Sequence, residues 1–135
     1  MTVRMELSRI FIRELKDLQF IELQEVEGER SFPIAIGLPE AQAIERRLKG
    51  LEPPRPQTHD LLATTIASLG GTLEHIVIHD LNDNTFFARL VIKQNGREIE
   101  IDSRPSDAIA LGVAGNVPIF VEEKVLEAAS SEEPT

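Results

Sequence analysis

The hydrophobic residues near the start of the chain alternate with polar ones, which is the period of a half-buried β-strand. Val3, Met5 and Leu7 share one face of this first predicted strand. The alternation then shifts by one residue near Ser8, so that later apolar residues lie on the opposite face. We therefore expect a first strand that contains a β-bulge.

Two more strands and two helices are predicted in the first half of the chain. The second strand covers 18–26, with a change of phase at Phe20, and the third covers 32–36. Apolar residues then recur at helical spacing, which predicts a helix over 39–49. The residues on its apolar face are Ala41, Ile44 and Leu48. A second helix is expected to begin at Thr58, acting as its N-cap.

The second half of the chain repeats this order of elements. Asn-containing turns, which are typical of tight hairpins, join three more predicted strands. An almost wholly apolar helix follows them, and then come a short strand and an amphipathic last helix. These elements are strands over 72–81, 85–94 and 97–102, a helix ending near 115, a strand over 119–121 and a helix over 122–129. The predicted fold is α+β, with two three-strand-plus-helix units forming a mixed, mainly antiparallel sheet.

Composition narrows the function classes. The 135 residues include no cysteine, which excludes disulfides and thiol catalysis. No apolar run is long enough to span a bilayer and the N-terminus lacks the apolar core of a signal peptide, so we expect a cytoplasmic protein without a membrane partner. A net charge of −9 argues against a general nucleic-acid coat protein. It does not argue against nuclease chemistry, in which carboxylates can hold a metal that meets the phosphate.

Charged residues gather at two predicted helix starts, each opened by an Arg-Pro pair. Arg55 precedes Thr58 at one of them, and Arg104 precedes Ser106 at the other. Either hydroxyl could simply cap its helix, but an arginine there opposes the helix dipole and should reach for a carboxylate or an anion. A structural ion pair and a phosphate-binding site are therefore both open interpretations. The equivalent corner of the first half, at Leu38, carries no such charges.

Three aspartates and one histidine complete the candidate site. Asp102 ends a strand and Asp107 lies in the first turn of a helix, so both could bind a divalent cation such as Mg²⁺. Asp60 or Ser106 could add a further ligand. His59 stands beside Asp60, where its imidazole could act as general base or acid, or could only hydrogen-bond to that aspartate.

Four segments of the chain resemble the corresponding motifs of the bifunctional nuclease domain family. The residues that carry the resemblance lie in Pro33–Gly37, Arg55–Leu61, Asn84–Ala88 and Asp102–Leu111. The similarity extends over about residues 5–130 of this chain. It implies a single domain over 1–130, and the composition of residues 131–135 predicts a disordered acidic tail. It also implies an α+β fold of duplicated units, a homodimer, and the ribonuclease and deoxyribonuclease activity described for plant members.

The leading hypothesis is a cytoplasmic nuclease that hydrolyses RNA or DNA phosphodiester bonds with low sequence specificity, nucleic acid or a nucleotide being its substrate. In this hypothesis His59 is the general base or acid. Asp60, Asp102 and Asp107 position a metal or a water molecule, and Asp102 and Asp107 are the metal ligands. The phosphate is bound by Arg55, Thr58, Arg104 and Ser106.

The alternative hypothesis is a non-catalytic dimeric module that binds a protein partner or a small anion. In that case the arginines and aspartates form a buried ion-pair network with a structural role. An open pocket lined by His59, Arg104 and Asp107 would favour the enzyme, whereas saturated salt bridges without a cavity would favour the module. Dimerisation through an exposed strand or the last helix is compatible with both.

Overall fold

A computed structural model of the chain describes residues 1–13 and 15–131. Within these ranges it contains seven strands, four α-helices and one short 3-10 turn. The strands are β1 Thr2–Phe11, β2 Gln19–Glu25, β3 Ser31–Ile36, β4 Gly71–Asn82, β5 Thr85–Gln94, β6 Arg97–Ser103 and β7 Ile119–Glu122. The helices are α1 Leu38–Leu48, α2 Thr58–Ser68, α3 Pro105–Gly112 and α4 Glu123–Ser131, and the 3-10 turn is Val113–Gly115.

The predicted α+β class is confirmed, whereas the predicted duplication of units stays an interpretation of the element order. Residues 132–135 of the predicted tail lie outside the described residues, and Ser131 is the last residue of α4. The division into a domain over 1–130 and a tail therefore also stays a prediction. Within the described part of the chain, no helix has both the length and the apolarity needed to cross a membrane.

All seven described strands form one sheet in the order β3-β2-β1-β7-β4-β5-β6. β1, β2 and β3 form one antiparallel meander, and β4, β5 and β6 form another. The last strand lies between them, antiparallel to β1 and parallel to β4. The sheet is therefore mixed and mainly antiparallel, as predicted.

Turn chemistry and the bulge follow the sequence pattern closely. Asp83 and Asn84 connect β4 to β5 with φ of 51° and 63°, and Asn95 and Gly96 connect β5 to β6 with φ of 52° and 76°. Two consecutive residues of positive φ form the hairpin turn whose twist matches that of the strands. The register of β1 against β2 shifts just after Leu7, which confirms the predicted bulge.

The phase change predicted at Phe20 is wrong. β2 alternates without interruption, and Gln19 takes a buried position in line with Ile21. This polar side chain is buried because its amide nitrogen donates to the carbonyls of Arg13 and Lys16, at 3.0 and 2.8 Å, while its oxygen accepts from the N–H of Arg13. Gln19 thus satisfies the backbone of the β1–β2 loop, a role that outweighs its polarity.

α3 is the buried helix that the sequence predicted. It packs against β4 and β5 as well as against α1 and α2, and all its residues except Asp107 are buried. Burial of each large apolar side chain, such as Ile109 or Leu111, contributes about 1.5–3 kcal/mol. The start of α3 is therefore held rigidly, and the one polar group that it projects out of the core is a carboxylate.

The two helices that pack on α3 bury few residues of their own. α1 buries Ala41 and Ile44, but Leu48 at its end is 52% exposed, so the predicted apolar face stops one turn early. α2 has no buried residue. Its Leu61 is 59% exposed, and Leu69, which directly follows the helix, is 68% exposed. This helix therefore presents an apolar surface to solvent.

Candidate active site at three helix starts

The first turns of α1, α2 and α3 line one open pocket of about 220 Å³. The residues that line it are Pro39, Glu40, Ala43, Gln57, Thr58, His59, Arg104 and Asp107. The first N–H groups of a helix lack partners inside the helix, and its N-terminus carries a partial positive charge. Three helix starts around one pocket therefore favour the binding of an anion, such as a phosphate group.

His59 and Asp107 form a hydrogen-bonded pair across this pocket. Nε2 of His59 lies 2.9 Å from Oδ1 of Asp107, and the two side chains are 15% and 32% exposed. An ionised carboxylate only accepts hydrogen bonds, so the neutral imidazole must carry its proton on Nε2. The lone pair is then on Nδ1, which has no hydrogen bond to any described residue. His59 is thus oriented as a base is in an Asp–His pair.

Arg104 binds the other oxygen of the same carboxylate. Its Nε donates to Oδ2 of Asp107 at 2.8 Å, and its Nη1 lies 3.7 Å from Oε2 of Glu40. The hydrogen bond with Asp107 raises the pKa of Arg104, so the guanidinium stays charged. The side chain is 64% exposed, and its two terminal nitrogens form no hydrogen bond within the described residues. Because the contact of Nη1 with Glu40 is long and exposed, these nitrogens can still donate to an incoming anion.

The carboxylate of Asp107 stays ionised in this setting. Burial raises the pKa of Asp107, but the hydrogen bonds from Arg104 and His59, together with the positive charge of Arg104, outweigh it and hold the pKa below its usual value. Asp107 can therefore both orient the imidazole and balance the positive charge that His59 gains when it accepts a proton.

Asp60 occupies in α2 the position that Asp107 occupies in α3, the third residue of the helix, but its surroundings differ. Its oxygens accept from Arg46 at 2.9 Å, from Arg47 at 2.6 Å and from the N–H of Gln57 at 2.9 Å. Burial raises the pKa of Asp60, but these three hydrogen bonds outweigh it, so the pKa is lowered. Both of its oxygens accept hydrogen bonds, and no described hydrogen bond links Asp60 to His59.

Arg47 extends this network to the end of α3. Its Nε donates to the carbonyl of Ala110 at 2.6 Å and its Nη2 to that of Leu111 at 3.2 Å. These carbonyls belong to the last turn of α3 and lack partners within the helix. Asp60 and Arg47 together tie α1, α2 and α3 to each other, and so fix the distance between the helices that carry His59 and Asp107.

The capping roles considered for Thr58 and Ser106 are not the ones observed. Gln57 is the N-cap of α2 and forms a reciprocal capping box with Asp60, so Thr58 is the first helical residue and lies exposed at the pocket. Arg104 is the N-cap of α3, without a side-chain cap, and Ser106 is the second helical residue, only 6% exposed. A capping side chain belongs to the residue just before the first helical turn. Both hydroxyls lie within that turn and therefore do not cap their helices.

Two other predicted site residues lie apart from the pocket. Asp102 is exposed on β6 opposite Arg89 of β5, and it has no ion pair with any described side chain. Arg55 is exposed in the extended segment before α2, again without an ion pair among the residues described. In residues 1–13 and 15–131, no group of three or more His, Asp or Glu side chains is placed to hold a metal ion. Asp107 lines the pocket and Asp102 does not, so the metal site expected at these two residues stays a prediction.

Glu40, Arg46 and Arg47 also belong to the site and were not predicted from the sequence. All three belong to α1, whose start was taken as the uncharged counterpart of the α3 start. Glu40 is the third residue of its helix, like Asp60 and Asp107, and this shared position was the signal that could have identified it. The two arginines gave no comparable signal, since basic residues in the last turn of a helix are common for electrostatic reasons.

Comparison with known proteins adds a family match and two relatives. A model of the bifunctional nuclease domain matches residues 21–134, a range that contains the whole pocket. Two uncharacterized proteins of Mycobacterium tuberculosis, from strains CDC 1551 / Oshkosh and H37Rv, are each 47% identical to the chain over 107 residues. These matches cover 79% of this chain and span 63% of the length of each relative.

Proposed function

The chain belongs to the bifunctional nuclease domain family, and on that premise we propose that it hydrolyses phosphodiester bonds of RNA or DNA with low sequence specificity. One observation carries the proposal. His59, Asp107 and Arg104 line a single open pocket at three helix starts, with an imidazole nitrogen and terminal guanidinium nitrogens that form no hydrogen bond to a described residue. In a purely structural ion-pair network the charged groups bind each other, as both oxygens of Asp60 bind its two arginines.

In the proposed reaction the phosphate binds at the helix starts beside Arg104. The terminal guanidinium nitrogens donate to its non-bridging oxygens, and the exposed hydroxyl of Thr58 supplies a further hydrogen bond. Negative charge grows on these oxygens as the nucleophile attacks, and donors that are already in position stabilise it without having to reorganise. Arg55, exposed just before α2, contacts a more distant phosphate of the same strand.

His59 performs the proton transfers. Its Nδ1 removes a proton from water as the new phosphorus–oxygen bond forms, and Asp107 stabilises the resulting imidazolium through Nε2. The bond to the leaving oxygen then breaks, and His59 returns the proton to that oxygen. General acid–base catalysis of this kind contributes about 100- to 10,000-fold in rate. Asp102 does not line the pocket, so we assign it no step in this reaction.

Asp60 and Ser106 have structural roles in this proposal. Asp60 holds α2 on α1, which sets the position of His59. Ser106 is buried behind the pocket at the second position of α3. The net charge of −9 disfavours a long electrostatic interface with nucleic acid. The proposed interface with the nucleic-acid strand is therefore short, which agrees with low sequence specificity.

The proposal includes a cytoplasmic homodimer. α4 buries its Val125 and Leu126 in the core, so the last helix has little apolar surface left for a partner. α2 instead exposes Leu61 and Leu62, with Leu69 exposed just after its end, and it carries no charged residue after Asp60. We therefore assign the dimer contact to α2. Fractionation of cells that express a tagged chain would check the location.

Cleavage assays with Asp107→Asn test the proposed function. Asparagine keeps the shape but orients His59 poorly and cannot balance its charge, so the rate on single-stranded RNA and DNA should fall about 100- to 10,000-fold. Asp102→Asn is the matched control, because Asp102 lies outside the pocket, and it should cleave like the wild type. Parallel reactions with Mg²⁺ and with EDTA reveal any metal requirement. Undiminished cleavage by Asp107→Asn would refute the site and point to a contaminating nuclease.

A further inference from the structure

A second pocket, of about 260 Å³, adjoins the proposed phosphate site, and both pockets are lined by Glu40 and Arg104. The rest of its lining comes from residues 34–37, 84–86 and 104–106. These residues belong to three of the four segments that carry the family resemblance. The proposed chemistry uses only one of those three, so the segments around Ile36 and Phe86 still lack a role.

Phe86 gives this pocket an aromatic wall that is held in place from behind. Its ring stacks on Phe32 with 5.4 Å between centroids and 21° between the ring planes. Phe32 is fully buried, whereas Phe86 is only partly buried and lines the pocket. A fixed aromatic ring beside an arginine is the arrangement on which unpaired nucleic-acid bases stack, and every base has a face that can do so.

The rim of the same pocket is polar. Asn84 and Thr85 are exposed at the β4–β5 turn, and Asn84 is fixed in a left-handed conformation with φ of 63°. An amide and a hydroxyl can each donate and accept hydrogen bonds, as the edges of bases and sugars require. The volume of this second pocket is smaller than the roughly 300–1,000 Å³ of pockets that bind drug-sized ligands. The pocket therefore has a size that suits one nucleoside.

We infer that this pocket is a nucleoside subsite, which holds the base and sugar attached to the phosphate at Arg104. The inference rests on the proposed phosphodiester site and narrows its substrate class. A base can reach Phe86 only when it is unpaired and unstacked from its neighbours. The substrate class is therefore single-stranded RNA or DNA, bound one nucleoside at a time next to the reacting phosphate.

Binding measurements with AMP, ribose 5-phosphate and inorganic phosphate test the subsite. Stacking of one base corresponds to about 5- to 150-fold in affinity, so the wild type should bind AMP more tightly than ribose 5-phosphate by a factor in that range. Phe86→Leu keeps the apolar volume but removes the ring, and it should lose most of this factor while its affinity for ribose 5-phosphate is unchanged. Phe87→Leu is the matched control, because neighbouring residues of a strand point to opposite faces.

Asn84→Gly provides a second variant that leaves the core intact, since glycine adopts positive φ readily. It should weaken AMP binding and leave phosphate binding unchanged. Equal affinities of the wild type for AMP and ribose 5-phosphate would overturn the subsite, as would equal losses in the Phe86 and Phe87 variants. The proposed cleavage is judged separately by Asp107→Asn. Base-dependent binding without any cleavage would therefore support the subsite and refute the nuclease.

Discussion

Replacing Asp60 by alanine should destabilise the protein more than any other single change at a charged residue near the pocket. The side chains of Asp60, Arg46 and Arg47 are only 22%, 16% and 9% exposed. Removing the carboxylate leaves two largely buried guanidinium groups without their anion and removes the side-chain partner of a capping N–H. Breaking a buried pair from one side costs about 3–5 kcal/mol. For a chain of this size the melting temperature should fall by roughly 10–20 °C.

Urea denaturation followed by far-UV circular dichroism measures this loss, since the chain has no tryptophan or tyrosine for fluorescence. The midpoint should fall with the slope unchanged, because the surface exposed on unfolding stays the same. Asp102→Ala removes an exposed carboxylate and should change stability by no more than about 0.5 kcal/mol. Adding Arg46→Met to Asp60→Ala should recover part of the loss by removing one unpaired cation. A loss below about 1 kcal/mol, as for exposed ion pairs, would refute the reasoning.

Two further predictions concern acid stability and assembly. Asp60 and Asp107 have lowered pKa values in the folded protein, so the stability they contribute is complete above the unfolded value of about 3.9 and is lost as the pH falls through the folded values. Urea midpoints measured from pH 7 to pH 2.5 should therefore drop at the acid end, and less steeply in Asp60→Asn; equal slopes in both proteins would contradict this. Leu61→Glu should convert a dimer into a monomer of 15.0 kDa in light scattering, whereas Val26→Glu, exposed outside α2, should stay dimeric; an unchanged mass for Leu61→Glu would place the contact elsewhere.

Local sequence patterns were sufficient for most of the fold. Strand alternation and hairpin turns depend on neighbouring residues, so β4, β5 and β6 agree with their predicted ranges to within one residue at each end. The predictions that were wrong concern residues whose positions depend on side-chain hydrogen bonds, which the pattern of hydrophobic and polar residues does not show. Gln19 is buried because it binds the loop that precedes it, and Thr58 is not a cap because Gln57 and Asp60 satisfy the helix start together.

The candidate site was predictable only in part, because its geometry depends on how helices pack. The sequence suggested His59, Arg104 and Asp107, whose residue types and helix positions carry a chemical signal. It could not show that Asp60 and Asp107, which occupy the same helix position, have opposite roles. That difference arises from α1, whose Arg47 reaches carbonyls more than sixty residues further along the chain. No periodicity within either segment encodes such a contact.

The place of β7 in the sheet has a consequence for biosynthesis. This strand, Ile119–Glu122, separates β1 from β4, so the two meanders share no direct ladder within the described sheet. Each meander can form as soon as its own strands have left the ribosome, but the two cannot join until residues near 120 have been made. Until then β1 and β4 each present an unpaired edge, which is a template for pairing with another chain. A nascent chain that stalls before β7 is therefore the species most exposed to aggregation.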